Sequence, residues 1–249
     1  MRSGLGVALA LAIACSACKP MVVANRSDGE GTTREPIATI SLASNGGNDC
    51  SVRWNGEAVT QDAISQRGIA ALEEAIRTVG GVANINEQNL PFVRVEAPPA
   101  MAYPCLGATL GTLQRTGFAW VALRPAGGGG PDARVDFLVA NMPPPPVDPG
   151  PTVVIGRGSL IYHDAPSSLA AIRADLSALS RDEEPPPEAR ATDVPPPVTS
   201  APNGFVVEVG RDVPFIELYA LARVVAEAGQ TATLYGCAGP EGPHRMPVC

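Results

Sequence analysis

The chain has 249 residues, a formal net charge of −7 and 17% charged side chains. No run is rich in Lys or Arg, which argues against a nucleic-acid partner. Gly and Pro supply 26 residues each, but hydrophobic residues make up 45%, a globular composition rather than a disordered one. Aromatic residues are 4% and histidines number two. A core must therefore be built from Val, Leu, Ile and Ala, and metal or acid–base chemistry starts with little material.

Met1, Arg2 and Ser3 give a short positive start, and the uncharged apolar run from Gly4 to Ala14 follows. That run is about 11 residues where a membrane-spanning helix needs about 20, so residues 1–14 are expected to be a secretory signal peptide. Small residues then precede a cysteine at Ala12-Ile13-Ala14-Cys15, and again at Ser16-Ala17-Cys18. Both resemble the lipobox of bacterial lipoproteins, whose cysteine becomes lipid-modified and N-terminal. Cys15 has the better preceding residues. Cys18 is the alternative, because its lipidation leaves an even number of cysteines distal to it. Plain secretion and a redox Cys-x-x-Cys are the blander options for this segment. The expected location is the periplasmic side of a bacterial envelope, lipid-anchored to the outer membrane.

Such a compartment is oxidising, and disulfides are expected there. Cys50, Cys105, Cys237 and Cys249 allow three connectivities. Pairing Cys50 with Cys105 and Cys237 with Cys249 keeps each bond within one half of the chain. In the loop-entropy account the first closure stabilises by about 4 kcal/mol and the second by about 3 kcal/mol. A metal site from Cys237, His244 and Cys249 would lack a fourth ligand and the usual spacing. No cofactor is expected.

Residues 15–36 are polar and aperiodic, a flexible tether. Ile37 to Leu42 alternates as a strand. Ser51 to Val59 follows, another strand pattern, with Asn55-Gly56 as a tight-turn signal inside it. Thr60 can cap a helix running to about Thr78, closed by Gly80. Phe92 to Glu96 is the next strand. A second helix ends at Gly117, the strand Ala119 to Leu123 comes after it, and Gly127 to Gly130 precedes the strand Arg134 to Val139. Pro143 to Pro146, Pro149 and Pro151 make residues 143–151 a stiff linker. After it come strands at Thr152 to Ile155 and Ser159 to Tyr162, then a helix from about Ser167 to Leu179. Residues 181–203 form a proline-rich loop. Then come the strand Phe205 to Val209, a helix ending at Gly229, and the strand Thr231 to Tyr235. Residues 238–249 are a tail.

The blocks 37–142 and 152–237 thus share an order of elements. Their first helices carry apolar residues at equal spacing, Ile69, Leu72, Ile76 and Val79 against Leu169, Ile172, Leu176 and Leu179, expected to form one buried stripe. Counting back from the closing glycine, Leu106, Leu110 and Leu113 match Leu218, Ala222 and Val225. The expected fold class is α+β, two tandem small two-layer domains, each a mixed β-sheet packed with two helices and related by an internal duplication.

That order is similar to the periplasmic domain of the ExbD/TolR biopolymer-transport family. Gly210 to Phe215, followed by Leu218 to Gly229, matches closely. Tyr103-Pro104 in the first block is looser, because it places the aromatic before the proline. The resemblance covers residues 37–124 and 152–237. It implies a domain that dimerises and contacts envelope proteins or peptidoglycan in protein transport and energy coupling. Family members also carry an N-terminal transmembrane helix with a membrane-embedded acidic residue, whereas Gly4 to Ala14 contains none, so proton coupling is not expected of this chain alone. Two copies in one chain would allow intramolecular pairing of the repeats.

Catalytic signatures are sparse. His163-Asp164 is the one His–carboxylate neighbour pair, placed where a turn is the simpler expectation. Gly156-Arg157-Gly158 has Ile161 where a dinucleotide loop needs a third glycine. Asp182, Glu183 and Glu184 read as a solvated loop, and Trp54 and Trp120 as strand residues of the core or its border. The expectation is a non-enzymatic binding protein. A cell-wall enzyme with an unrecognised site and a generic surface scaffold are the alternatives.

Overall fold

The computed structural model describes residues 34–44, 50–128, 130–137, 153–182 and 204–238. The expected signal segment, the 143–151 linker, most of the 181–203 loop and Cys249 lie outside them.

The first half runs β1 (Ala38–Ser44), β2 (Cys50–Trp54), β3 (Glu57–Val59), α1 (Gln61–Thr78), β4 (Val93–Ala97), α2 (Tyr103–Thr116), β5 (Trp120–Pro125) and β6 (Ala133–Phe137). The second runs β7 (Val153–Gly156), β8 (Ser159–Tyr162), β9 (Ala165–Pro166), α3 (Leu169–Asp182), β10 (Gly204–Gly210), α4 (Phe215–Glu227) and β11 (Thr231–Ala238). The class is α+β, and the sheet is mixed.

The local signals explain these elements. Asn55 and Gly56 both take positive φ, 49° and 86°, the backbone of a two-residue hairpin turn that Asn-Gly favours. The Asn55 side chain accepts from the Thr39 N–H at 2.8 Å and locks the turn to β1. Thr60 Oγ1 accepts from the Ala63 N–H at 3.3 Å and Ser168 Oγ from the Ala171 N–H at 3.2 Å, so both first helices start on a hydroxyl cap. At the end of α1, Gly80 sits at φ 86° while the N–H groups of Gly80 and Gly81 reach the carbonyls of Arg77 and Ile76. That is the double closure for which a left-handed residue is needed.

Among the described residues the strands form one eleven-stranded sheet in the order β3-β2-β1-β4-β5-β6-β11-β10-β7-β8-β9. The expectation of a separate sheet in each block is therefore corrected. The joint is β6, antiparallel to β5 through Val121–Val135 and parallel to β11 through Val135–Ala232. The reason is physical: without β6, the eight-residue strand β11 would present an unpaired row of N–H and C=O groups, the liability that edge strands carry. Either side of β6 the strand orders are the same, β3-β2-β1-β4-β5 and β9-β8-β7-β10-β11. In each run the outer hairpin is antiparallel and the three inner strands are parallel.

One continuous apolar core lies between the sheet and the helices. It takes Ile40, Val93 and Val95 from the first half, Val153, Val207 and Val209 from the second, and the helix residues Leu106, Leu110, Leu113, Leu218, Ala222 and Val225, all fully buried. The expected α1 stripe is corrected here. Ile69 is 45% exposed, and the buried residues of α1 are Ile64 and Gly68. Helix α1 rests on α2 rather than on the sheet. The contact is close: a Cβ on Gly68 would stand 2.8 Å from Thr116 Cγ2. Ile64 stands four residues beyond its cap, and so does Ile172 in α3; both are fully buried. The counterparts are therefore Ile64 and Ile172, not Leu72 and Ile172.

Candidate functional site

Two features could serve recognition, the junction of the halves and the sheet face opposite the helices. At the junction, Tyr103 and Phe215 are the first residues of α2 and α4. The Tyr103 N–H donates to the Val213 carbonyl at 3.0 Å, and the Phe215 N–H donates to the Met101 carbonyl at 2.7 Å. These two bonds are the same bond made in both directions, and Ala102 pairs with Pro214 between them. The aromatics therefore correspond, and only the proline has moved, from the second position of α2 to the cap of α4. Both rings are 1% exposed. The Tyr103 hydroxyl is buried with no hydrogen-bond partner, and burial raises its pKa. Since Phe215 fills the matching place without a hydroxyl, Tyr103→Phe is expected to leave stability unchanged or raise it by about 1 kcal/mol. Thermal denaturation of the two proteins checks this.

The hairpin that supplies β6 is fastened from both sides. Asp132 accepts from Arg94 Nε at 3.0 Å and Nη2 at 2.9 Å, and forms an ion pair with Arg124, whose Nε stands 2.9 Å away. The Asp132 carboxylate also holds the Arg94 guanidinium above its ordinary pKa. From the second half, the Tyr219 hydroxyl donates to the Pro131 carbonyl at 2.8 Å. Gly127 takes a positive φ in the connection, which is a hairpin turn, as its flanking strands require.

The sheet face away from the helices carries Arg94, Trp120, Arg124, Arg134 and Asp136 in the first half. Trp120 is stacked on Phe92 with centroids 4.1 Å apart, and the Arg134 guanidinium stands 4.8 Å from its centroid. The Arg134 guanidinium is itself paired with Asp136 at 2.6 Å. Both neighbours occupy the indole, so it packs rather than presents a ligand platform. Trp54 is 6% exposed and belongs to the core. On the same face Glu208 pairs with Val154 across β10 and β7, beside a β-bulge against β11. It is 9% exposed, and desolvation raises its pKa. A carboxyl whose folded pKa is raised holds its proton more tightly folded than unfolded. Its contribution is thus fully present below the unfolded carboxylate pKa and is lost as pH rises through the folded value. Glu208→Gln is expected to raise the melting temperature at neutral pH and to flatten its decline between acid and neutral pH. A melting-temperature series against pH measures both.

Of the residues singled out in the sequence, Cys50 and Cys105 are joined in a disulfide, Cys237 stands in β11, and Cys15, Cys18, His244 and Cys249 lie outside the described residues. His163 and Asp164 take φ 49° and 62° as the two turn residues between β8 and β9. They are the counterparts of Asn55 and Gly56, since Trp54 pairs with Ile40 as Tyr162 pairs with Val153. Arg157 and Gly158 make the turn between β7 and β8, with Gly158 at φ 65°. Among the described residues no three His, Cys, Asp or Glu side chains stand close enough to hold a metal ion, and no helix is long and apolar enough to cross a membrane. Sequence reasoning missed the junction pair and the Asp132 clamp; the Asp132 position two residues after Gly130, opening a strand, was the available signal for the second. The chain matches no protein-family model, no curated protein and no solved structure.

Proposed function

We propose that the chain is a non-enzymatic envelope lipoprotein built from two tandem ExbD/TolR-like domains, 37–142 and 152–237, that pair with each other inside one molecule. The observation that carries this reading is the reciprocal bond pair between Tyr103 and Val213 and between Phe215 and Met101. Two equivalent contacts related by exchange of the halves are what an isologous dimer interface makes, and a linker of a few residues turns such an association into an intramolecular one. The Cys50–Cys105 bond supports an oxidising compartment. The signal segment with Cys15 as lipid site, Cys18 as alternative, supplies the anchor. The second disulfide of the proposal is Cys237–Cys249. Envelope proteins or peptidoglycan are the proposed partners, in biopolymer transport or envelope energy coupling.

The test is a pull-down from envelope extracts with the lipidated chain and with Cys15→Ala, together with sedimentation on purified peptidoglycan. Recovery of a defined envelope protein, or co-sedimentation with peptidoglycan, supports the reading; neither, from either form, contradicts it. Mass spectrometry of the mature N-terminus is expected to find a diacylated cysteine at position 15.

A further inference from the structure

The two halves fasten the same hairpin to the same helix by different bonds. Cys50 opens β2, and Cys105 is the third residue of α2. In the second half Gly158 occupies the place of Cys50: Trp54 faces Ile40 and Tyr162 faces Val153, and stepping back four residues from each gives Cys50 and Gly158. Glu217, the third residue of α4, occupies the place of Cys105. There the Gly158 N–H donates to Glu217 Oε2 at 3.2 Å. A carboxylate in the first turn of a helix is also favoured by the helix dipole. So the first half ties its outer hairpin down with a disulfide, at a Cα–Cα distance of 5.8 Å, where the second half has a hydrogen bond.

We propose that the Cys50–Cys105 disulfide is a redox-sensitive latch, not required for the fold, that sets how readily the outer hairpin β2–β3 separates from β1. The hairpin ends in a strand of three residues, and its Cys50 end is exposed, so the bond lies within reach of a dithiol reductant. The exchange balances: a thiolate of the dithiol attacks one sulfur, the other cysteine leaves as a thiolate and takes up a proton, and the second thiol of the reductant closes its own disulfide. Two electrons pass from the dithiol to the protein, which ends with two free thiols. Opening then uncovers the edge of β1, a row of backbone groups that another extended chain could pair with.

Amide hydrogen exchange on the full chain tests this, comparing the oxidised protein, the protein treated with dithiothreitol, and Cys50→Ser/Cys105→Ser. Amides of residues 50–59 are expected to exchange about tenfold or more faster in the last two, while β4 and β10 stay far slower than residues 50–59 even after the global loss of stability. Glu217→Ala is the matching perturbation of the other half and is expected to speed exchange around residues 157–162. Three results would overturn the proposal: a bond that resists dithiothreitol in the folded chain, protection of residues 50–59 that does not change, or β4 and β10 that exchange as fast as residues 50–59 once the bond is gone.

Discussion

Leu218→Ala is expected to lower stability by about 2–5 kcal/mol and to move the unfolding of the opposite half with it. Leu218 is fully buried in α4, a helix that packs on β11 of its own half and on β5 and β6 of the other. Truncation removes apolar contacts and leaves a cavity among residues drawn from both halves. The chain has two tryptophans, Trp54 and Trp120, both in the first half, so tryptophan fluorescence reports that half alone. With one shared core, fluorescence and far-ultraviolet circular dichroism are expected to shift together to lower denaturant. A fluorescence midpoint unchanged by Leu218→Ala would mean that the halves melt separately.

Removing the Cys50–Cys105 bond is the second large effect. The bond closes a sequence separation of 55 residues, and the loop-entropy account gives about 4 kcal/mol for a closure of that length. Cys50→Ser/Cys105→Ser should approach this loss in a urea titration. The loss is not expected to unfold the protein, because the same hairpin-to-helix joint in the second half has a Gly158–Glu217 hydrogen bond in place of a covalent one. A double variant as stable as the parent would mean that the bond adds nothing to the folded chain.

Much of the local structure was legible in the sequence, because the signals are short-range. Asn55-Gly56, the Thr60 cap and the glycines at 80, 117 and 229 each dictate a backbone event within a few residues. The leucines of α2 follow a period of 3.6 that only a buried helix face explains. Ile69 is the instructive failure. Apolar spacing says that a helix has a face, but not what lies opposite. Helix α1 meets another helix across Gly68, and its tightest contact needs a residue without a side chain. The joining of two sheets into one was not legible either. Pairing of Val135 with Ala232 links strands about a hundred residues apart, and no periodicity in either strand names its partner. Likewise the Tyr103 and Val213 bond uses backbone atoms that every residue possesses. The disulfide was legible as one of three pairings, since confining each bond to one half selected the pair that the fold brings together.

The central claim is that β6 of the first half and β11 of the second are neighbours in one sheet, and nuclear Overhauser spectroscopy on the isotope-labelled chain tests it most directly. Cross-peaks are expected between the backbone protons of Val135 and Ala232 and of Asp136 and Thr233, with slow amide exchange along both strands. Rapid exchange along β11, with no cross-peak to any residue of β6, would contradict it.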